Sequence, residues 1–235
     1  FTHFNYIQKA LASGKHVLVE KPMVLSVSDA EKVREAVKTT GQVFMVAHQY
    51  LYHRHVKYLE QQVKSGVLGK IQNITMEHLY PGPIREDVGV FWDAGPHEFA
   101  ILDFLLGPVS VIKAHGEKRH TAGKPVEDYT AAEVELSDGT MVKLTLSSNA
   151  DKKSRKRIFT GDKRSAIFED SNNNNFLQVS AGGKDTVPQI AESEPLKNEL
   201  EHFIDCVRNK KTPMTDVEHG LRVVKNLEAV YSQLN

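Results

Sequence analysis

"HVLVEKPMVLS", residues 16–26, decides how the rest of the chain is read. An apolar run, Val17 to Val19, meets Glu20 and Lys21 and is then stiffened by Pro22. A strand with no polar alternation has both faces covered, as in a parallel sheet flanked by helices. On one side of it, "FTHFNYIQKALASG" spaces Phe4, Ile7 and Leu11 as a helix, with Gly14 as its stop. On the other, "SDAEKVREAVKTTG" sets Ser28 three residues before Glu31, a capping box, and Gly41 ends that helix. "VFMVAH" is a second buried strand. Helix, strand, helix, strand implies a right-handed parallel α/β unit. Ligands of such sheets sit beyond the carboxyl ends of the strands, which is where Glu20, Lys21 and Pro22 fall. Taken alone, the tripeptide reads equally well as a solvated turn.

The texture changes near residue 50. "HVKYLEQQVKSGVLG" is a helix ending at Gly66, "KIQNITMEHLY" alternates as a half-exposed strand, and "PHEFAILDFLLG" is a helix with Pro96 in its first turn. Between residues 109 and 181, five alternating stretches separated by turn signals predict an antiparallel sheet, with the asparagine run 172–175 as a hairpin loop. Two helices close the chain. The first is expected to carry Leu196, Leu200, Phe203 and Val207 on its apolar face; the second starts with Thr215 and Glu218 at capping-box spacing. The division is therefore a parallel α/β unit over 1–49 and a sheet-bearing domain over 50–235.

Composition excludes several classes. The 235 residues are 40% hydrophobic and 26% charged, with 30 Lys and Arg against 30 Asp and Glu. That balance argues against nucleic acid as a partner, and no polybasic block or apolar span points to a membrane. No secretory signal is visible, so a cytoplasmic setting is expected. Cys206 stands alone, which removes an intrachain disulfide and a cysteine-built metal cluster; no metal site is expected.

"WDAGPH" holds the second chemical signal. Asp93 and His97 lie four residues apart at a helix start, where a carboxylate and an imidazole can tune one another and pass a proton. The competing reading makes Asp93 a cap and His97 an ordinary first-turn residue.

Together these stretches resemble the glucose–fructose oxidoreductase / inositol dehydrogenase / MocA family of nicotinamide-dependent oxidoreductases. "THFNYIQKALASGKHVLVEKP" is similar to its approach to a Glu-Lys-Pro motif, "HQYLYHRHVKYLEQQVKSGVLGKI" to its entry into the second domain, "WDAGPH" to its Asp-x-Gly-x-His motif, and residues 194–234 to its closing helices. The resemblance implies a Rossmann domain for NAD or NADP, represented here by a C-terminal remnant, followed by an α/β domain with a large open antiparallel sheet. It implies hydride transfer at a hydroxyl- or carbonyl-bearing carbon, on a sugar, a nucleotide-linked sugar or a cyclitol. It makes Lys21 the active-site lysine and Asp93 and His97 its acid–base partners, with Asp93 orienting the imidazole. Thr2, His3, Glu20, Lys21 and Pro22 would border the cofactor, while Arg85 and Trp92 are candidates to meet the substrate. Arg85 also reads as a surface arginine and Trp92 as a core residue. A homodimer or homotetramer is expected, because an open sheet face should not stay uncovered.

The chain departs from that family in one respect: it contains no Gly-x-Gly-x-x-Gly. The expectation is that the pyrophosphate-binding loop belongs to an earlier segment of roughly 80 residues. A family member with another substrate, such as an imine or an open tetrapyrrole, and a non-catalytic binding module remain as alternative readings.

Overall fold

The computed structural model describes residues 2–83, 85–171 and 174–235. The chain opens with helix α1 (His3–Ala12), strand β1 (Val17–Glu20), helix α2 (Val27–Thr40) and strand β2 (Phe44–Ala47). β1 and β2 pair in parallel, Val17 opposite Phe44 and Glu20 opposite Ala47. The start of α2 lies two residues earlier than the capping-box reading. Ser26 is the cap, its hydroxyl accepting from the Asp29 amide at 3.2 Å, because the extended backbone at Ser26 aims its oxygen at the open turn.

A short 3-10 helix (Gln49–Tyr52) and helix α3 (Arg54–Lys64) lead into strand β3 (Ile71–Pro81). Helix α4 (Val90–Leu106) follows, then strands β4 (Val111–Arg119), β5 (Tyr129–Leu136), β6 (Met141–Ser147), β7 (Asn149–Gly161), β8 (Ser165–Ser171), β9 (Asn174–Ala181) and β10 (Lys184–Thr186). These form one eight-stranded sheet in the order β10-β9-β8-β7-β3-β6-β5-β4. The asparagine run falls partly on residues 172 and 173, outside those described; β8 pairs antiparallel with β9 on either side of it. The sheet is mixed rather than wholly antiparallel, since β3 runs parallel to β6. α4 carries the chain back across the sheet, so β4 sets out in the direction of β3, and two reversals leave β6 running the same way.

Two helices end the chain, α5 (Pro195–Asn209) and α6 (Val217–Tyr231). α6 is capped by Asp216, which accepts from the His219 amide at 2.9 Å. Thr215, expected as the cap, instead donates to the Val46 carbonyl at 2.7 Å and ties α6 to β2. α6 serves two cores: Val217, Leu221 and Val224 pack with β1 and β2, while Val223, Leu227 and Val230 join α4 and the sheet. α5 is partly rotated relative to its sequence pattern: Phe203 still packs against the core and Val207 is half-buried. Leu196, Leu200 and Ile204 are exposed, whereas Glu199 and Cys206 are buried. The helix lays its 199–202–206 side on the 3-10 segment, where the Tyr52 and His202 rings are 5.8 Å apart.

The sheet's outer face mixes charge with apolar side chains, Ile158 of β7 pairing with Ile167 of β8. Glu77, Lys156 and Glu169 stand abreast on β3, β7 and β8, and Lys143 pairs with Glu133 at 3.0 Å. The inner face is apolar for most of its length, with Ile74, Met76, Val142, Leu144, Phe159 and Phe168 packed under Phe91, Phe99 and Leu102 of α4. It turns polar toward one end. The same alternation that buries Ile74 and Met76 buries His78 next, and the alternation that buries Phe159 also buries Arg157 and brings Arg155 to the inner side. That polar end lies beneath the carboxyl ends of β1 and β2.

Candidate active site

Lys21 leaves β1 across a cis peptide bond to Pro22, and its loop is braced from α1, where His3 Nδ1 donates to the Pro22 carbonyl at 2.9 Å. Its ammonium crosses to α4, donating to the Asp93 backbone carbonyl at 2.8 Å and to Asp93 Oδ1 at 3.0 Å. The other carboxylate oxygen of Asp93 accepts from the Tyr80 hydroxyl at 2.9 Å. Burial alone would raise the Asp93 carboxyl. The Lys21 charge, the hydrogen bonds from Lys21 and Tyr80 and the nearby Arg85 outweigh burial and hold it below the usual carboxylate range. Tyr80 is pushed up by burial and by Asp93, so its phenol stays protonated and keeps donating.

α4 begins at Val90, six residues before Pro96, so Asp93 belongs to its first turn and His97 to the next. Four residues apart, they share a helix face. The expected Asp93–His97 partnership does not form, because Lys21 and Tyr80 occupy the Asp93 carboxylate. Rings hold His97 instead: Tyr50 edge-on at 5.0 Å and His78 stacked at 5.8 Å. Its Nδ1 is buried without a hydrogen-bond partner. Burial, followed by the charges of Lys21, His78, His48 and Arg157, drives the His97 pKa well below its ordinary value. The ring is therefore neutral at neutral pH and can accept a proton.

Beneath His97 lies a buried ionic layer that sequence reasoning missed. Arg157 donates twice to Glu98, at 2.7 and 2.6 Å, and Glu98 also meets His78 at 2.9 Å. Tyr50 lies over Arg157, 4.7 Å from ring centroid to guanidinium, and its hydroxyl donates to Asp170 at 3.1 Å. The available signal was polar residues at inward positions of alternating strands: His78 and Tyr80 follow Ile74 and Met76 at steps of two, and Arg155 and Arg157 precede Phe159 in the same way. Histidine, tyrosine and arginine at positions that should bury apolar side chains mark a lined cleft. His48, at the end of β2, adds another buried Nδ1 without a partner.

The remaining expected residues fall elsewhere. Arg85 lies on the rim, bound at 2.9 and 2.6 Å to Asp87 and 3.8 Å from Asp93. Trp92 packs against Phe91 and Tyr231 where α4 meets α6, which is its core reading. Glu20 and Thr2 are exposed, and Pro22 is buried. A cavity of about 290 Å³ opens beside His97, lined by Gln49, Tyr50, His53, Arg155, Asp170 and Pro195 as well. A larger hollow of about 600 Å³ between α2 and the 210–217 turn includes none of Lys21, Asp93 and His97. No grouping of His, Cys, Asp and Glu among the described residues is arranged to hold a metal, and no helix there is long and apolar enough to cross a membrane.

The fold that brings Lys21 to Asp93 has known relatives. The family model for the oxidoreductase family, C-terminal alpha/beta domain, matches residues 60–235, and that for the oxidoreductase family, NAD-binding Rossmann fold, matches residues 1–48. The chain belongs to this Gfo/Idh/MocA oxidoreductase family. It is 26% identical to scyllo-inositol 2-dehydrogenase (NAD(+)) of Bacillus subtilis, over 100% of this chain and 73% of that protein. It is likewise 26% identical to UDP-N-acetylglucosamine 3-dehydrogenase of Acidithiobacillus ferrooxidans, over 95% of this chain and 72% of that protein. The solved structure of the latter superposes with a TM-score of 0.88 at 23% identity, over 99% of this chain and 75% of that one, a likeness of fold. The residues present fit the reacting end of a nicotinamide dinucleotide. Lys21 and the unpartnered His48 and His97 nitrogens gather at the strand ends.

Proposed function

We propose that the full-length protein is an NAD(P)-dependent oxidoreductase acting at a secondary alcohol or ketone of a sugar or cyclitol, and more narrowly of a nucleotide-linked sugar. The observation that carries this reading is that Lys21, at the end of β1, binds Asp93 of α4, while His97, four residues on along the same helix and within electrostatic reach of Lys21, lines the adjoining cavity. When bound, NAD or NADP supplies the hydride acceptor or donor. Lys21 hydrogen-bonds the substrate oxygen and stabilises the negative charge that develops there. His97, held neutral, takes the hydroxyl proton in the oxidative direction and returns it in the reductive one. Asp93 fixes the Lys21 ammonium and balances its charge, while Glu20, Lys21 and Pro22 border the nicotinamide. The substrate-class reading draws on the two relatives named above.

The test is steady-state turnover of the full-length protein on a panel of sugars, cyclitols and nucleotide-linked sugars, followed by absorbance of reduced nicotinamide. Lys21→Ala and His97→Ala are each expected to lower turnover by about a hundredfold to ten-thousandfold with melting temperature preserved. Near-full turnover in both variants would sink the assignment. No turnover on any member with either cofactor would favour a binding module.

A further inference from the structure

Four arginines lie in or around the cleft, and they differ in what they hold. Arg157 is fixed through Nε and one Nη by both oxygens of Glu98, although its other Nη is buried unpaired; Arg85 is clamped by both oxygens of Asp87, and Arg54 donates to the Ile190 carbonyl at 3.1 Å and pairs with Glu192. Arg155 has no such partner. Its Nε is buried without a hydrogen bond, and its nearest carboxylate oxygen, on Asp170, is 3.7 Å away. That same oxygen, Asp170 Oδ2, already accepts from the Tyr50 hydroxyl at 3.1 Å. A guanidinium presents a planar fork of donors matched to two oxygens of one carboxylate or phosphate, and leaving a buried donor of that fork unpaired is costly.

Arg155 lines the cavity of about 290 Å³ that also contains His97. Tyr50 stands between them, its ring 5.0 Å from the imidazole and 6.0 Å from the Arg155 guanidinium. This volume lies at the small end of ligand pockets, the scale of a single sugar ring. A sugar ring seated in this cavity with its reacting carbon at His97 would carry its far substituent toward Arg155.

Resting on the oxidoreductase reading, we propose that Arg155 is a specificity determinant that binds an anionic substituent on the sugar, a carboxylate or a phosphate, so that the preferred substrate is an acidic rather than a neutral sugar. The test is titration calorimetry of the full-length protein with glucuronate, galacturonate and glucose 6-phosphate, each beside its neutral counterpart, glucose or galactose. At least one anionic sugar is expected to bind tenfold or more tightly than its counterpart. Arg155→Gln should bring that ratio to about one, and Arg155→Lys, which keeps the charge but loses the fork, should leave it in between. The uronates and the phosphate ester distinguish the two oxyanion sources. A ratio near one across the wild-type panel overturns the proposal, as does a ratio that survives Arg155→Gln. If that variant fails to fold, the wild-type ratio and the Arg155→Lys ratio decide. Because binding is read without turnover, Arg155-dependent binding with no cofactor reduction breaks the oxidoreductase reading alone. Lys21-dependent turnover of neutral sugars with no preference for acids breaks this proposal alone.

Discussion

The parallel unit of α1 to β2 and the large sheet of β3 to β10 contribute to the same cleft in opposite ways. In the first, both faces of the strands are covered, so Val17, Val19, Phe44 and Val46 are all buried and none carries chemistry. The polar residues it turns toward the cleft lie just past the strand ends, at Lys21 and His48. In the second, the outer face is mixed and one end of the inner face is polar, so the polar side chains around the cleft stand within the strands themselves, at His78, Tyr80, Arg155 and Arg157. A parallel sheet places its reactive groups in loops. A one-sided sheet can place them along a strand, where alternation conceals them.

If the polar end of the large sheet is also a structural layer, breaking it should give the largest effect on stability. Arg157→Ala leaves Glu98 charged, fully buried and short of its main partner, and is expected to destabilise the fold by about 3–5 kcal/mol. Denaturant melts of Arg157→Ala, Glu98→Ala and the double variant measure this. The double variant should lose clearly less than the two single losses added. Additive losses would mean that the two groups act separately and that the layer is no unit.

The seam between the regions offers a smaller, pH-dependent effect. Glu199 of α5 is 2% exposed, and burial, then the Glu20 carboxylate at the end of β1, push its pKa from 4.5 up to about 7. A raised folded-state value means that its stabilising protonated form is fully present below the unfolded value and is lost as pH rises through about 7. Glu199→Gln, neutral throughout, should match wild type near pH 4 and gain up to about 3 kcal/mol near pH 8. A gain that does not vary with pH would show that packing, not ionisation, sets the effect.

The smallest expected effect probes the link itself. Asp93→Asn keeps a hydrogen-bond acceptor for Lys21 but removes its charge, and is expected to lower turnover by about tenfold to a hundredfold, the worth of a charge-assisted hydrogen bond. A loss as large as that of His97→Ala would mean that Asp93 takes part in proton transfer directly.

The parallel unit was readable from residues 16–48 because unbroken apolar runs, glycine stops and short spacing are local properties of the chain. Lys21, Asp93 and His97 were legible as motifs for the same reason. Their pairing was not. Asp93 was expected to serve His97 four residues away, and it serves Lys21 and Tyr80 because both reach it across the cleft. The α6 cap moved by one residue for a similar reason: Thr215 could cap α6 locally, but β2 offered it the Val46 carbonyl.

By itself, the sequence determined the order of helices and strands, the position of the strand-end lysine, the absence of a cysteine cluster and the even balance of charge, since each depends on residue type and near-neighbour spacing. Only the tertiary structure decided how each of the cleft's arginines is paired, which side of α5 is covered and where β3 finds a parallel partner. Those outcomes depend on side chains 20 to 120 residues apart arriving at one place, as His78 reaches Glu98 and Tyr50 reaches Asp170. Spacing along the chain carries no record of such meetings, because the packing of helices over a sheet sets them after the local elements have formed.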